Sequence, residues 1–238
     1  MKYQLATLGL VPFLIVQARY VKRITPKLPE ADGIREGTVG TGAKLGVLIV
    51  GDSAAAGVGV ATQQEALSGQ LIAKLGSEFH VSWKLNATTG HTAKDVLESL
   101  KNAPSESFEV AVLSVGVNDV SGRTGLKNWI AQILEIIQLL KSKFGVLHII
   151  LSGLPPLHLF EVLPQPLRWH VGVRAKQLNQ ILKNIVDNDT QCELIQLDFP
   201  FEPHFLALDR FHPAAPAYSL WGQRAASTIK RRLKPEIS

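Results

Sequence analysis

The chain of 238 residues holds one cysteine, one methionine and few aromatic residues, 7% in all. A single cysteine, Cys192, excludes an intrachain disulfide and a cysteine-built zinc site. Charged residues are also scarce at 19%, against 46% hydrophobic, which is the composition of a chain that folds and buries a core. The apolar run at 5–16, LATLGLVPFLIV, is too short for an ordinary membrane-spanning helix, which needs about 20 such residues. No lysine follows the glycines of the first glycine-rich segment, so a phosphate-binding loop is excluded. The seven histidines lack the His-Glu-x-x-His spacing of a zinc helix. Neither a metal nor a cofactor is expected.

The length suits one sizeable α/β core and is short for two. The formal net charge is +5 and the sequence pI about 9.4. Nucleic acid is the first candidate partner for a basic protein. Several of the cations, however, sit in two end clusters, Arg19, Lys22, Arg23 and Lys27, then Lys230, Arg231, Arg232 and Lys234. No basic-aromatic interleaving accompanies them, so they read as solvated helix ends and no nucleic-acid partner is expected.

Three readings fit the N-terminal segment, residues 1–24. It resembles a secretory signal, because Val16-Gln17-Ala18 has the small-residue pattern of a cleavage site, and export would remove residues 1–18. Against export, the positive charge falls mainly after the apolar run and favours a cytoplasmic flank. The other readings are a segment in peripheral contact with an anionic membrane, or a helix packed on the domain, and these rank ahead of export. The expected location is therefore cytoplasmic or peripherally membrane-associated. Residues 25–44, rich in Pro, Gly and charge, read as a connector, and residues 45–238 as the main domain.

Within that domain, short apolar runs at 45–50, 80–86, 110–115, 147–151 and 193–197 read as strands. The runs at 110 and 147 are nearly all apolar, which suits strands covered on both faces of a parallel sheet. Between them, Leu126, Trp129, Ile130, Ile133, Ile137, Leu140 and Phe144 recur at helical steps, with Gly145 as the stop. This alternation predicts right-handed crossovers and a three-layer α/β/α sandwich.

The first strand runs into Gly51-Asp52-Ser53-Ala54-Ala55-Ala56-Gly57. Ligands of an open parallel sheet bind outside the carboxyl ends of its strands, so topology puts Ser53 at the expected site. A helix N-cap serine would look the same in isolation. The segment Gly57-Val58-Gly59-Val60-Ala61-Thr62 only mimics a dinucleotide fingerprint, since it starts several residues beyond the strand. A serine hydroxyl needs a base to take its proton. Among the histidines only His212 has a carboxylate at short range in a loop after a strand, in Asp209-Arg210-Phe211-His212. Asp209 would accept from one imidazole nitrogen and leave the other free as a base. Acyl transfer also needs donors for the developing oxyanion. Gly90 in the turn after the second strand and Asn118 in Gly116-Val117-Asn118-Asp119 after the third stand at the same edge.

These four segments, in this order and each after a different strand, resemble the SGNH (GDSL) hydrolase family over roughly residues 45–225. The resemblance implies a flavodoxin-like sandwich with a five-stranded parallel sheet. It implies Ser53 as nucleophile, His212 as base, Asp209 as its orienter, and an oxyanion hole of the Ser53 and Gly90 N–H groups with the Asn118 amide. The activity implied is hydrolysis of short- to medium-chain carboxylic esters through an acyl-enzyme on Ser53. A lysophospholipase, a thioesterase or a carbohydrate deacetylase would use the same machinery. For the substrate, the apolar loop 154–166 suggests Leu157, Phe160 and Leu163 as pocket residues, with a merely packed crossover as the alternative.

Overall fold

The computed structural model describes residues 2–121, 124–200 and 202–233, so Lys234 of the C-terminal basic cluster lies outside the described residues. After helix α1 (Lys2–Ile24) come strands β1 (Glu36–Val39) and β2 (Ala43–Gly51), helix α2 (Leu67–Leu75), β3 (Phe79–Ala87), α3 (Ala93–Asn102) and β4 (Val110–Ser114). The short α4 (Val117–Ser121) and long α5 (Leu126–Phe144) precede β5 (His148–Ser152), α6 (Leu167–Asp187), β6 (Cys192–Ile195) and α7 (Ala215–Leu233).

The sheet order is β1-β3-β2-β4-β5-β6. The five longer-range strands, β3-β2-β4-β5-β6, are mutually parallel and give the flavodoxin-like order. The expectation of five strands is corrected to six. β1 joins the edge antiparallel to β3, pairing Glu36 with Lys84 through Val39 with Val81. It lies inside the stretch 25–44 read as a connector, and its sequence EGTV offers no apolar alternation because an exposed edge strand has no face to bury. An ion pair from Lys84 to Glu36 (3.3 Å) accompanies the pairing.

The central strands bury both faces, and their side chains divide by the period of two. Leu48, Val50, Ala111, Leu113, Ile149 and Leu151 join the core under α3, α5 and α6. Val47, Ile49, Val110, Val112 and Ile150 join the opposite core under α2 and α7. Helix α5 buries Trp129, Ile133, Ile137, Leu140 and Phe144, and stops where Gly145 turns left-handed (φ 64°) and donates its N–H to Leu140 O. Cys192 is buried, and that burial pushes its thiol up to about 12.

Helix α1 is two-faced. Leu14 is buried in the core beneath it, Leu10 and Val21 pack on the same core, and Gln17 donates to Gln165 O (2.6 Å) while accepting from Leu167 N–H (3.0 Å). The outward face shows Phe13 and Val16, each 65% exposed, with Tyr20 and Ile24 at continuing helical steps. Among the described residues no helix is long and apolar enough to cross a membrane.

Candidate active site

β2 is the central switch point of the sheet: β3 lies on one side and β4 on the other, so the loops leaving all three diverge around one crevice. The chain leaves β2 at Gly51 into a series of turns, and regular helix resumes only at Leu67, so Ser53 does not cap a helix. The turn is held internally. Asp52 accepts the Ala54 N–H (3.1 Å) and Ser53 O accepts the Val58 N–H (3.0 Å). It is also held from α7, where the buried Tyr218 hydroxyl lies within donating distance of Ala54 O (2.9 Å) and Val58 O (2.8 Å).

The loop before α7 closes on itself through Ala207 N–H to His212 O (2.9 Å), and Arg210 takes a left-handed turn (φ 55°). That turn lets one oxygen of the buried Asp209 accept both the Phe211 and His212 N–H groups, each at 2.9 Å. The other oxygen lies 2.5 Å from His212 Nδ1. A carboxylate only accepts, so Nδ1 carries the proton and Nε2 is left as acceptor. Nε2 stands 2.9 Å from Ser53 Oγ, across 159 positions of sequence. Gly59 permits this approach: a Cβ there would collide with the carbonyl of Pro213, next to the histidine. Burial works against ionisation of Asp209, but the His212 and Phe211 hydrogen bonds outweigh it and hold the carboxyl below the usual carboxylate range.

The other two expected residues follow β3 and β4. Gly90 adopts a left-handed backbone (φ 87°) in the loop after β3, and Asn118 lies in α4 and donates from Nδ2 to His91 O (2.9 Å), tying the two loops together. Among the described residues the Ser53 and Gly90 N–H groups donate to no backbone carbonyl. Asp119 accepts the Ala93 N–H (3.0 Å) at the start of α3, beside the reciprocal Thr92–Asp95 cap. Glu30 accepts the Thr89 N–H (2.7 Å) and pairs with Arg35 (2.8 Å), which also donates to Ala87 O. The stretch read as a connector therefore clamps the loop that carries Gly90.

Sequence reasoning missed Glu30, Arg35 and Tyr218 as supports of the site. Single residues far from any motif carried no signal for them. Asp52 and Asp119 sit inside the motifs but received no role of their own. Burial pushes Asp52 up to about 7, against the Ala54 hydrogen bond, and pushes Asp119 up to about 6, against the Ala93 hydrogen bond.

Two cavities lie at the catalytic pair, the smaller bordering both Ser53 and His212 and the larger His212 alone. The smaller, of about 60 Å³, lies among Ser53, Phe160, Phe199, Phe205 and Trp221. The larger, of about 640 Å³, opens beside His212 and Phe211, and α1 forms one of its walls. Leu157 and Leu163 border the large cavity and Phe160 the small one, where its ring meets that of Phe211 edge to face (5.4 Å). Among the described residues no group of three or more His, Cys, Asp and Glu side chains is placed to hold a metal ion.

The model of the GDSL-like lipase/acylhydrolase family matches residues 49–220. The chain belongs to this family. The enzyme is a carboxylic ester hydrolase, as its relatives are. It is 28% identical over 243 residues to the GDSL-like esterase Rv1075c of Mycobacterium tuberculosis, a match covering 90% of this chain and 75% of that protein. Two solved structures share its fold at low identity. A lipolytic G-D-S-L family protein from Veillonella parvula superposes with TM-score 0.63 at 16% identity, over 79% of the enzyme and 100% of that chain. Axe2, an acetylxylan esterase from Geobacillus stearothermophilus, superposes with TM-score 0.59 at 17% identity, over 82% of the enzyme and 96% of that chain.

Proposed function

We propose that the enzyme hydrolyses short- to medium-chain carboxylic esters by a two-step mechanism with Ser53 as nucleophile. His212 Nε2 takes the hydroxyl proton as Ser53 Oγ attacks the acyl carbon. The resulting imidazolium is stabilised by Asp209, already held ionised by three donors. The tetrahedral oxyanion is received by the Ser53 and Gly90 N–H groups and the Asn118 amide. His212 then protonates the leaving alcohol, the acyl-enzyme forms, and water attacks it by the same proton route in reverse. The observation that carries this reading is the unbroken contact from Ser53 through His212 to the buried Asp209. The test is ester cleavage by Ser53→Ala. It should lose activity while keeping the wild-type melting temperature, and retained activity would remove Ser53 from the mechanism.

Two features bear on the natural substrate and location. Exposed Phe13, Val16 and Tyr20 on α1 stand beside exposed Arg19 and Arg23, an arrangement that complements an anionic bilayer surface. We therefore place the enzyme at such a surface in peripheral contact, which favours lipid esters among the substrates its machinery could take. The packing of Leu14 and Gln17 on the domain argues for α1 being retained, since export with cleavage after Ala18 would remove both. Sedimentation with phosphatidylglycerol vesicles, lost in Phe13→Asp and absent with phosphatidylcholine, tests the contact. Equal recovery of wild type and variant would refute it. Carbohydrate deacetylation is the second reading, supported by a cavity at Ser53 of about the size of an acetyl group.

A further inference from the structure

The cavity that borders Ser53 and the one that borders His212 on its Asp209 side differ about tenfold in size, about 60 Å³ against about 640 Å³. A cavity of about 150 Å³ holds benzene, so the smaller accepts roughly two or three heavy atoms. The larger falls in the range of roughly 300–1,000 Å³ that takes whole small-molecule ligands. Its walls near the catalytic pair are Val58, Val117 and Phe211, and farther out Leu157, Leu163 and Leu167. The remaining wall comes from outside the matched family region of residues 49–220. Ala18, Val21 and Lys22 of α1, then Thr25, Pro26, Lys27 and Leu28, complete it.

We infer that the substrate is a lopsided ester, one side of at most about three heavy atoms and the other bulky and apolar, and that α1 determines specificity by walling the site of the bulky side. The inference rests on the proposed Ser53 mechanism and adds to it the size and polarity of what is cleaved. The large cavity borders His212, whose Nε2 stands 2.9 Å from Ser53 Oγ, so an apolar group carried by an ester held at Ser53 can extend into it. Lys22 and Lys27 stand at the exposed rim of this wall, on the side where the basic face of α1 begins. A bulky apolar moiety drawn from a membrane surface would thus enter between the helix and the loop 157–163.

A cysteine at Val21 gives the test within a single folded sample. Cys192 is buried with its thiol pushed up to about 12, so a thiol at 21 is the reactive one. Val21→Cys is assayed before and after alkylation with N-phenylmaleimide on three substrates: ethyl acetate, small on both sides, ethyl octanoate and octyl acetate. Alkylation should lower kcat/KM at least tenfold for one or both eight-carbon substrates and change ethyl acetate less than twofold. Equal rates before and after on all three would overturn the inference, and so would an equal loss on all three. Either outcome leaves the Ser53 mechanism standing, because that mechanism fails only if Ser53→Ala retains activity. Val21→Trp provides the same comparison without a label, with thermal unfolding as the check that it folds.

Discussion

Removing one hydroxyl from α7 should disturb a nucleophile it never touches. The Tyr218 side chain is fully buried and its hydroxyl serves Ala54 O and Val58 O, the carbonyls on either side of the turn that presents Ser53. In Tyr218→Phe, Ala54 O keeps a bond from the Gly57 N–H (3.3 Å), so the main loss falls on Val58 O. A buried carbonyl left without its donor costs about 1–3 kcal/mol, so a destabilisation of about 2 kcal/mol is expected. For a chain of this size each kcal/mol lowers the melting temperature by roughly 2–4 °C, giving a fall of about 4–8 °C. The same relaxation moves Ser53 relative to His212. Misplacement of about 1 Å can cost roughly a hundredfold, so kcat on 4-nitrophenyl acetate should fall by about ten- to a hundredfold with KM little changed. Calorimetry and steady-state kinetics on the one variant read both effects. A melting temperature within 1 °C of wild type (roughly the resolution of the assay), together with unchanged kcat, would refute the claim that α7 holds the turn.

Three other outcomes follow from the site. Asp209→Asn leaves the loop nearly isosteric but offers His212 Nδ1 a donor or a neutral acceptor in place of a carboxylate, and kcat should drop by roughly 10³–10⁴, read by single-turnover kinetics. Asp52 binds its proton more tightly when folded, about 7 against 3.8, so its own contribution to stability should decline as pH rises from about 4 to about 7 and then level off. Asp52→Asn should flatten that decline, which amounts to about 4 kcal/mol at most, in urea melts at pH 5 and pH 8; identical pH dependence in both proteins would count against it. Glu30→Ala releases the Thr89 N–H and with it the Gly90 loop. It should lower kcat about tenfold, the scale of a lost oxyanion contact in part, while an unchanged kcat would show that the loop holds its shape without the clamp.

The strands and the chemistry-bearing motifs were legible because each leaves a local mark. The nearly all-apolar runs at β4 and β5 identify strands buried on two faces, and five of the seven stripe residues on α5 are buried. Ser53 and Asn118 follow their strands within a few residues, while Asp209 and His212 lie in the longer segment between β6 and α7, and topology brings segments that leave the carboxyl ends of strands to one edge whatever their separation in sequence. β1 was not legible, because a four-residue exposed edge strand owes its existence to the backbone of β3 rather than to its own side chains. The supports were hidden for a related reason. Tyr218 and Ala54 are 164 positions apart and Glu30 and Thr89 are 59 apart, and nothing local to any of these residues announces its partner. The pocket residues divide the same way: the loop holding Leu157, Phe160 and Leu163 was conspicuous, whereas the wall formed by α1 became visible only when the helix was seen to fold back over it.

The measurement that bears most directly on the mechanism is the mass of the enzyme after reaction with a fluorophosphonate, followed by peptide mapping. The account predicts one phosphonyl adduct per chain, located on Ser53, formed together with loss of esterase activity and suppressed in His212→Ala. An enzyme that loses activity while carrying its adduct on another residue, or that is labelled on Ser53 and remains fully active, would contradict it.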